Sequence, residues 1–156
     1  MLDVFYSSGF EAIRHQQQNN EIDVDGLFVS DCGVLHARPG DGIAQLEALC
    51  KVLTSVHQTC FQNAFSLATS IAYGNYRIEE RVVFPGIEKN PIMGFAYLAA
   101  YADQSTTSPK LHPPEIRLLK SNLPQPVVDY CLGENTPIAR KMRDDGKHFY
   151  FEWQRL

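Results

Sequence analysis

The residue best placed to do chemistry is Asp31. It lies in V24-D25-G26-L27-F28-V29-S30-D31-C32-G33-V34-L35, where two short apolar runs flank one acidic residue at a tight turn. Residues 24–29 read as a buried strand and residues 34–36 as its return. Gly33 is expected to supply the backbone freedom of the turn. A carboxylate held at such a tip by two strands can meet a ligand or a divalent cation. The plainer role for Ser30 and Asp31 is that of ordinary turn formers.

Other metal or redox chemistry has little support. Cys32, Cys50, Cys60 and Cys131 form no C-x-x-C pair, and Cys50 and Cys60 fall in a helical pattern that makes them small core residues. His15, His36, His57, His112 and His148 are scattered, which argues against a zinc site. No serine, histidine and acid stand in a recognisable nucleophilic motif. A net charge of −4 argues against a broad nucleic-acid-binding face, since phosphate contacts need clustered Lys and Arg. No apolar run approaches membrane-spanning length. The early Asp3 and the polar residues after it do not read as a signal peptide, so a cytoplasmic location is expected.

The elements around Asp31 follow from hydrophobic spacing. At 156 residues, 44% hydrophobic and 21% charged, the chain is expected to be one soluble domain spanning 1–156. Residues 2–18 pattern as a helix through Leu2, Phe5, Tyr6, Phe10 and Ile13. After the hairpin, Asp41 is placed to cap a long helix over 43–60. Residues 65–74 alternate as a half-buried strand, and residues 76–84 form a short arm or hairpin broken by Pro85 and Gly86. A second helix spans 92–103, with Asn90 as cap and Pro91 in its first turn. Residues 114–119 suit a strand, and Pro124 and Pro126 break the chain. Residues 138–143 and 147–153 flank D144-D145-G146 as a terminal hairpin. The order implies an α+β domain, ferredoxin-like, with a mixed or antiparallel sheet and helices packed on one face.

Three segments carry a resemblance to a known family. F28-V29-S30-D31 resembles the strand and turn where class III nucleotidyl cyclase domains place their second metal-binding aspartate. S70-I71-A72-Y73-G74, followed by an arm and then I92-M93-G94-F95-A96-Y97-L98-A99-A100-Y101, resembles their strand ending in glycine and the Gly-Ala-rich helix after it. M142-R143-D144-D145-G146-K147-H148-F149-Y150-F151 resembles their final hairpin. The family includes bacterial cyclases that make pyrimidine cyclic nucleotides in phage defence. The resemblance implies conversion of a nucleoside triphosphate to a 3′,5′-cyclic nucleotide and pyrophosphate, with signalling as the role. It implies a site shared across a homodimer, with Mg2+ or Mn2+ bridging the triphosphate. On this basis Asp31 is a metal ligand, and Arg143 binds the triphosphate through a guanidinium fork that matches phosphate oxygens; the plainer role for Arg143 is a solvated hairpin residue.

The chain also departs from the family pattern. The family's first strand, which carries its first metal aspartate, has no counterpart before the helix at residue 2. Tyr97, Leu98, Ala100 and Tyr101 stand where cyclases place an asparagine and an arginine. A degenerate or truncated cyclase domain and a non-catalytic dimerising or nucleotide-binding module of the same fold are therefore both open. An unrelated ferredoxin-like domain of the GGDEF kind ranks lower, because that motif is absent.

Overall fold

The computed structural model describes residues 1–19, 22–78, 92–106 and 108–155. In the first third, two helices pack on each other and on one hairpin. Helix α1 (Leu2–Asn19) lies against strands β1 (Val24–Val29) and β2 (Cys32–Ala37), which pair antiparallel with Val29 opposite Cys32. That register leaves Ser30 and Asp31 as a two-residue turn, and Ser30 takes the positive φ of 55°. Gly33 is therefore not the turn residue. It sits within β2, where a Cβ would come 2.9 Å from the Phe28 ring, so glycine is needed there for close packing. Tyr6 of α1 donates to the carbonyl of Ser30 at 2.8 Å and ties the turn to the helix.

Helix α2 (Gly42–Gln62) starts where expected. The Asp41 carboxylate accepts from the amides of Ile43 and Ala44 at 3.1 and 3.0 Å, satisfying two otherwise free donors of the first turn. Its two buried faces belong to different cores. Ala48, Val52, Val56 and Cys60 pack with Phe5, Ala12 and Val24 under the hairpin. Leu46, Cys50 and Leu53 pack instead under a four-stranded sheet.

That sheet has the order β3 (Thr69–Ile71), β6 (Ile116–Leu119), β8 (His148–Phe151), β7 (Met142–Asp144). β3 runs parallel to β6, and the other pairs are antiparallel, so the sheet is mixed as expected. Alternation divides its side chains between two faces. Ile116, Leu118, Phe149 and Phe151 face α2 and helix α4 (Gln125–Leu132). Arg117 and His148 face helix α3 (Phe95–Gln104), which covers the opposite side. The fold is α+β, with α2 and α4 sharing one face of the sheet as expected and α3 added on the other. No helix among the described residues is long and apolar enough to cross a membrane.

Several expected elements shift. The strand over 65–74 shrinks to Thr69–Ile71. The arm is a two-residue pairing of β4 (Arg77–Ile78) with β5 (Ile92–Met93); the rest of it, with Pro85, Gly86, Asn90 and Pro91, lies outside the described residues. Ile92 and Met93 are thus strand, and α3 begins three residues later than its apolar spacing suggested. Its first amide, that of Phe95, is capped at 2.8 Å by the side chain of Asn75. Pro124 and Pro126 do not break the chain but start α4, where the fixed φ of proline suits a first turn and its missing donor costs nothing.

Candidate functional site

A groove of about 1130 Å³ opens between the hairpin and the four-stranded sheet. One wall is β2, residues 32–37, and the other is β3 with the residues that follow it. Its floor is the face of α2 carrying Leu46, Leu49, Leu53 and Val56, spaced at helical intervals. Its other side is α3, through Ala96, Tyr97, Ala100 and Tyr101. Asp31 and Phe5 lie on the lining at the end of the hairpin.

Four tyrosines, Tyr73, Tyr76, Tyr97 and Tyr101, all line this groove. Tyr97 and Tyr101 stack one turn apart on α3, with ring centroids at 6.3 Å. Tyr76 stacks on His36 of β2 at 4.4 Å, joining the two walls. Burial pushes the His36 imidazole below its usual range, with Asp25 opposing and Arg38 reinforcing that effect. The Tyr76 hydroxyl is buried without a hydrogen-bond partner among the described residues. An unpaired buried hydroxyl of this kind costs about 1–3 kcal/mol, so it marks a position where a polar group belongs.

Asp31 is exposed at the turn, and its carboxylate makes no hydrogen bond to a described residue. It acts on Cys32 next to it, whose thiol is raised by burial first and by the Asp31 charge second. Among the described residues, Asp31 is also the only carboxylate on the groove lining. Magnesium takes near-octahedral oxygen coordination and is usually anchored by one or two carboxylates plus substrate phosphates. Among the described residues no three His, Cys, Asp or Glu side chains converge. The residues present therefore do not by themselves fit the two-aspartate metal centre that the resemblance implies.

Arg143 is not brought near Asp31. It sits on β7, the edge of the sheet farthest from β3, and borders a separate depression of about 400 Å³ formed with Glu115, Tyr150 and Trp153. Its guanidinium lies 4.3 Å above the Tyr150 ring, and its Nε lies 3.4 Å from the Glu152 carboxylate. Half of its side chain is exposed. Within one chain the two candidate residues thus belong to opposite edges.

A second constellation, which the sequence reading did not single out, lies buried between α3 and the sheet. Asp103 accepts from Ser70 Oγ at 2.6 Å, from Arg117 Nε at 2.8 Å, and lies 2.8 Å from His148 Nε2. Arg117 also donates to the carbonyls of Asp103 and Pro109. Arg117 and His148 are fully buried. Burial pushes the Asp103 carboxyl up, but the hydrogen bonds from Ser70, Arg117 and His148 outweigh it and hold the group below the ordinary carboxylate range. Every strong donor aimed at Asp103 comes from inside the chain, so this cluster clamps α3 to β3, β6 and β8. The signal available in the sequence was a polar, hydrogen-bonding residue within each of two apolar strands, Arg117 and His148, and one acid near the end of an otherwise uncharged helix.

Comparison with protein-family models, with curated proteins and with solved structures finds no match.

Proposed function

We propose that this chain is a nucleotidyl cyclase-type domain, which turns a nucleoside triphosphate into a 3′,5′-cyclic nucleotide and pyrophosphate at a site completed by a second polypeptide. The observation that carries this reading is the sequence of elements around Asp31: helix, hairpin, long helix, strand, arm, helix, with Asp31 at the two-residue turn and at the mouth of the groove. Tyr73 and Tyr101, exposed on the groove lining, offer stacking surfaces for a base outside the slot between the strands. A second copy is the simplest source of the missing oxygen ligands, and a site shared between two copies also suits the distance between Asp31 and Arg143.

The test is product analysis after incubating the protein separately with ATP, GTP, CTP and UTP in manganese-containing buffer. A cyclic product from one of them, lost in Asp31→Asn, is the expected result and names the base. No product from any of the four overturns the catalytic reading.

A second reading is a non-catalytic dimerising or nucleotide-binding module. It is favoured by α3, which carries no arginine or asparagine to hold a ribose or a developing charge, and by the single carboxylate that the described residues bring to the groove. Equilibrium dialysis with the same four nucleotides separates the two: binding without turnover selects the module.

A further inference from the structure

The two walls of the groove are both strand edges. The antiparallel partner of β2 is β1, and Arg38 just beyond β2 donates its amide to Asp23. Backbone groups alternate sides along a strand. Residues 32, 34 and 36 therefore turn their amides and carbonyls toward β1, and Gly33, Leu35 and Ala37 turn theirs into the groove. On the opposite wall Thr69 donates to Glu115, so Thr69 and Ile71 face β6. Ser70 and Ala72 then face the groove. No backbone partner for these outward groups occurs among the described residues.

Two rows of backbone donors and acceptors thus confront each other across an apolar space, with α2 beneath and α3 above. Leu35 of β2 packs against both cores, so the two sheets already share one hydrophobic layer. A base or a lipid chain would fill the volume but leave both rows unpaired, whereas a strand pairs along both of its edges at about 4.8 Å spacing. We propose that the groove is a slot for one extended polypeptide segment of about six residues, supplied from outside the described fold. The segment joins β2 to β3 and makes one seven-stranded sheet in the order β1, β2, added strand, β3, β6, β8, β7. Its chemistry follows from its surroundings. Covered by helices on both faces, it must read as a nearly continuous apolar, β-branched run.

The test uses the whole chain. Phe5, in the first turn of α1, lines the groove, so a strand tethered ahead of Met1 can reach it. The probe is Thr-Val-Ile-Val-Ile-Thr fused to Met1 through a Gly-Ser linker of about ten residues, which holds it at high effective concentration. The control replaces its third and fourth residues with proline, which removes a donor toward each edge. Amide hydrogen exchange is read at Gly33, Leu35, Ser70 and Ala72. The expected result is slowing by roughly tenfold or more in the fusion and not in the proline control. Unchanged exchange overturns the proposal. Equal slowing in both proteins also overturns it, because that is hydrophobic cover without strand pairing. Slowing in the unfused protein that grows with its concentration assigns the slot to a second copy and overturns supply by a separate segment. No nucleotide is present, so the outcome is independent of the cyclase reading.

Discussion

The two sides of β3 solve the same problem in opposite ways. Toward β6, Ser70, Asp103, Arg117 and His148 bring four polar groups from four elements into one buried, hydrogen-bonded cluster, in which only His148 Nδ1 lacks a partner among the described residues. Toward β2, the described residues offer the backbone no such partners and leave the Tyr76 hydroxyl unpaired, and aromatic rings stand partly in solvent. The closed side holds the fold together. The open side has unused bonding capacity, and that is what a binding surface requires. Ser70 belongs to both: its hydroxyl is spent on Asp103 and its backbone faces the groove.

This contrast is most sharply broken at Arg117. Arg117→Ala leaves Asp103 buried without its cation, and the expected loss is about 3–5 kcal/mol of unfolding free energy, measured by urea denaturation. A loss no larger than that of an ordinary surface substitution would mean that the cluster is not the clamp. The next effect belongs to His57, which joins α2 to β3 through Thr69 at 2.9 Å. Burial lowers its pKa to about 4. The folded state therefore favours the neutral ring. The stability tied to that ring is complete above the unfolded value near pH 6.5 and declines as pH falls toward 4, by up to about 1.4 kcal/mol per unit. Denaturation at pH 7 and pH 5 should differ by about 2 kcal/mol less in His57→Gln than in the natural chain. The smallest effect lies on the open side. Tyr101→Ser should change stability by no more than about 0.5 kcal/mol, since the residue is 61% exposed. A larger loss in thermal melting would place Tyr101 in the core and erase the distinction.

Much of the hinge between these sides was legible before the structure. Hydrophobic runs that meet at a two-residue turn announce the hairpin, and Asp41 before Gly42 announces α2. Other features depend on partners that a local reading does not see. The sequence suggested a helix across Ile92 and Met93 because apolar spacing is helical there, but pairing with Arg77 and Ile78 makes them strand. Pro124 and Pro126 read as breakers because proline ends helices as well as starting them. The Asp103 cluster joins residues 14 and 45 positions apart, so its charges meet only through the topology of the sheet. The candidate site was legible as one carboxylate at a turn. The groove beside it was not, because it is a property of two strands that are not neighbours in sequence.

Helix α2 gives the molecule a mechanical property of its own. It is 21 residues long and contributes side chains to both hydrophobic cores. Loss of this shared axle removes part of both cores at once, so the hairpin and the sheet should lose structure in one transition despite the groove between them. The chain's single tryptophan, Trp153, stacks edge-on against His57 and Phe61 near the end of that helix. Its emission is a built-in gauge of the axle, and through it of both halves at once.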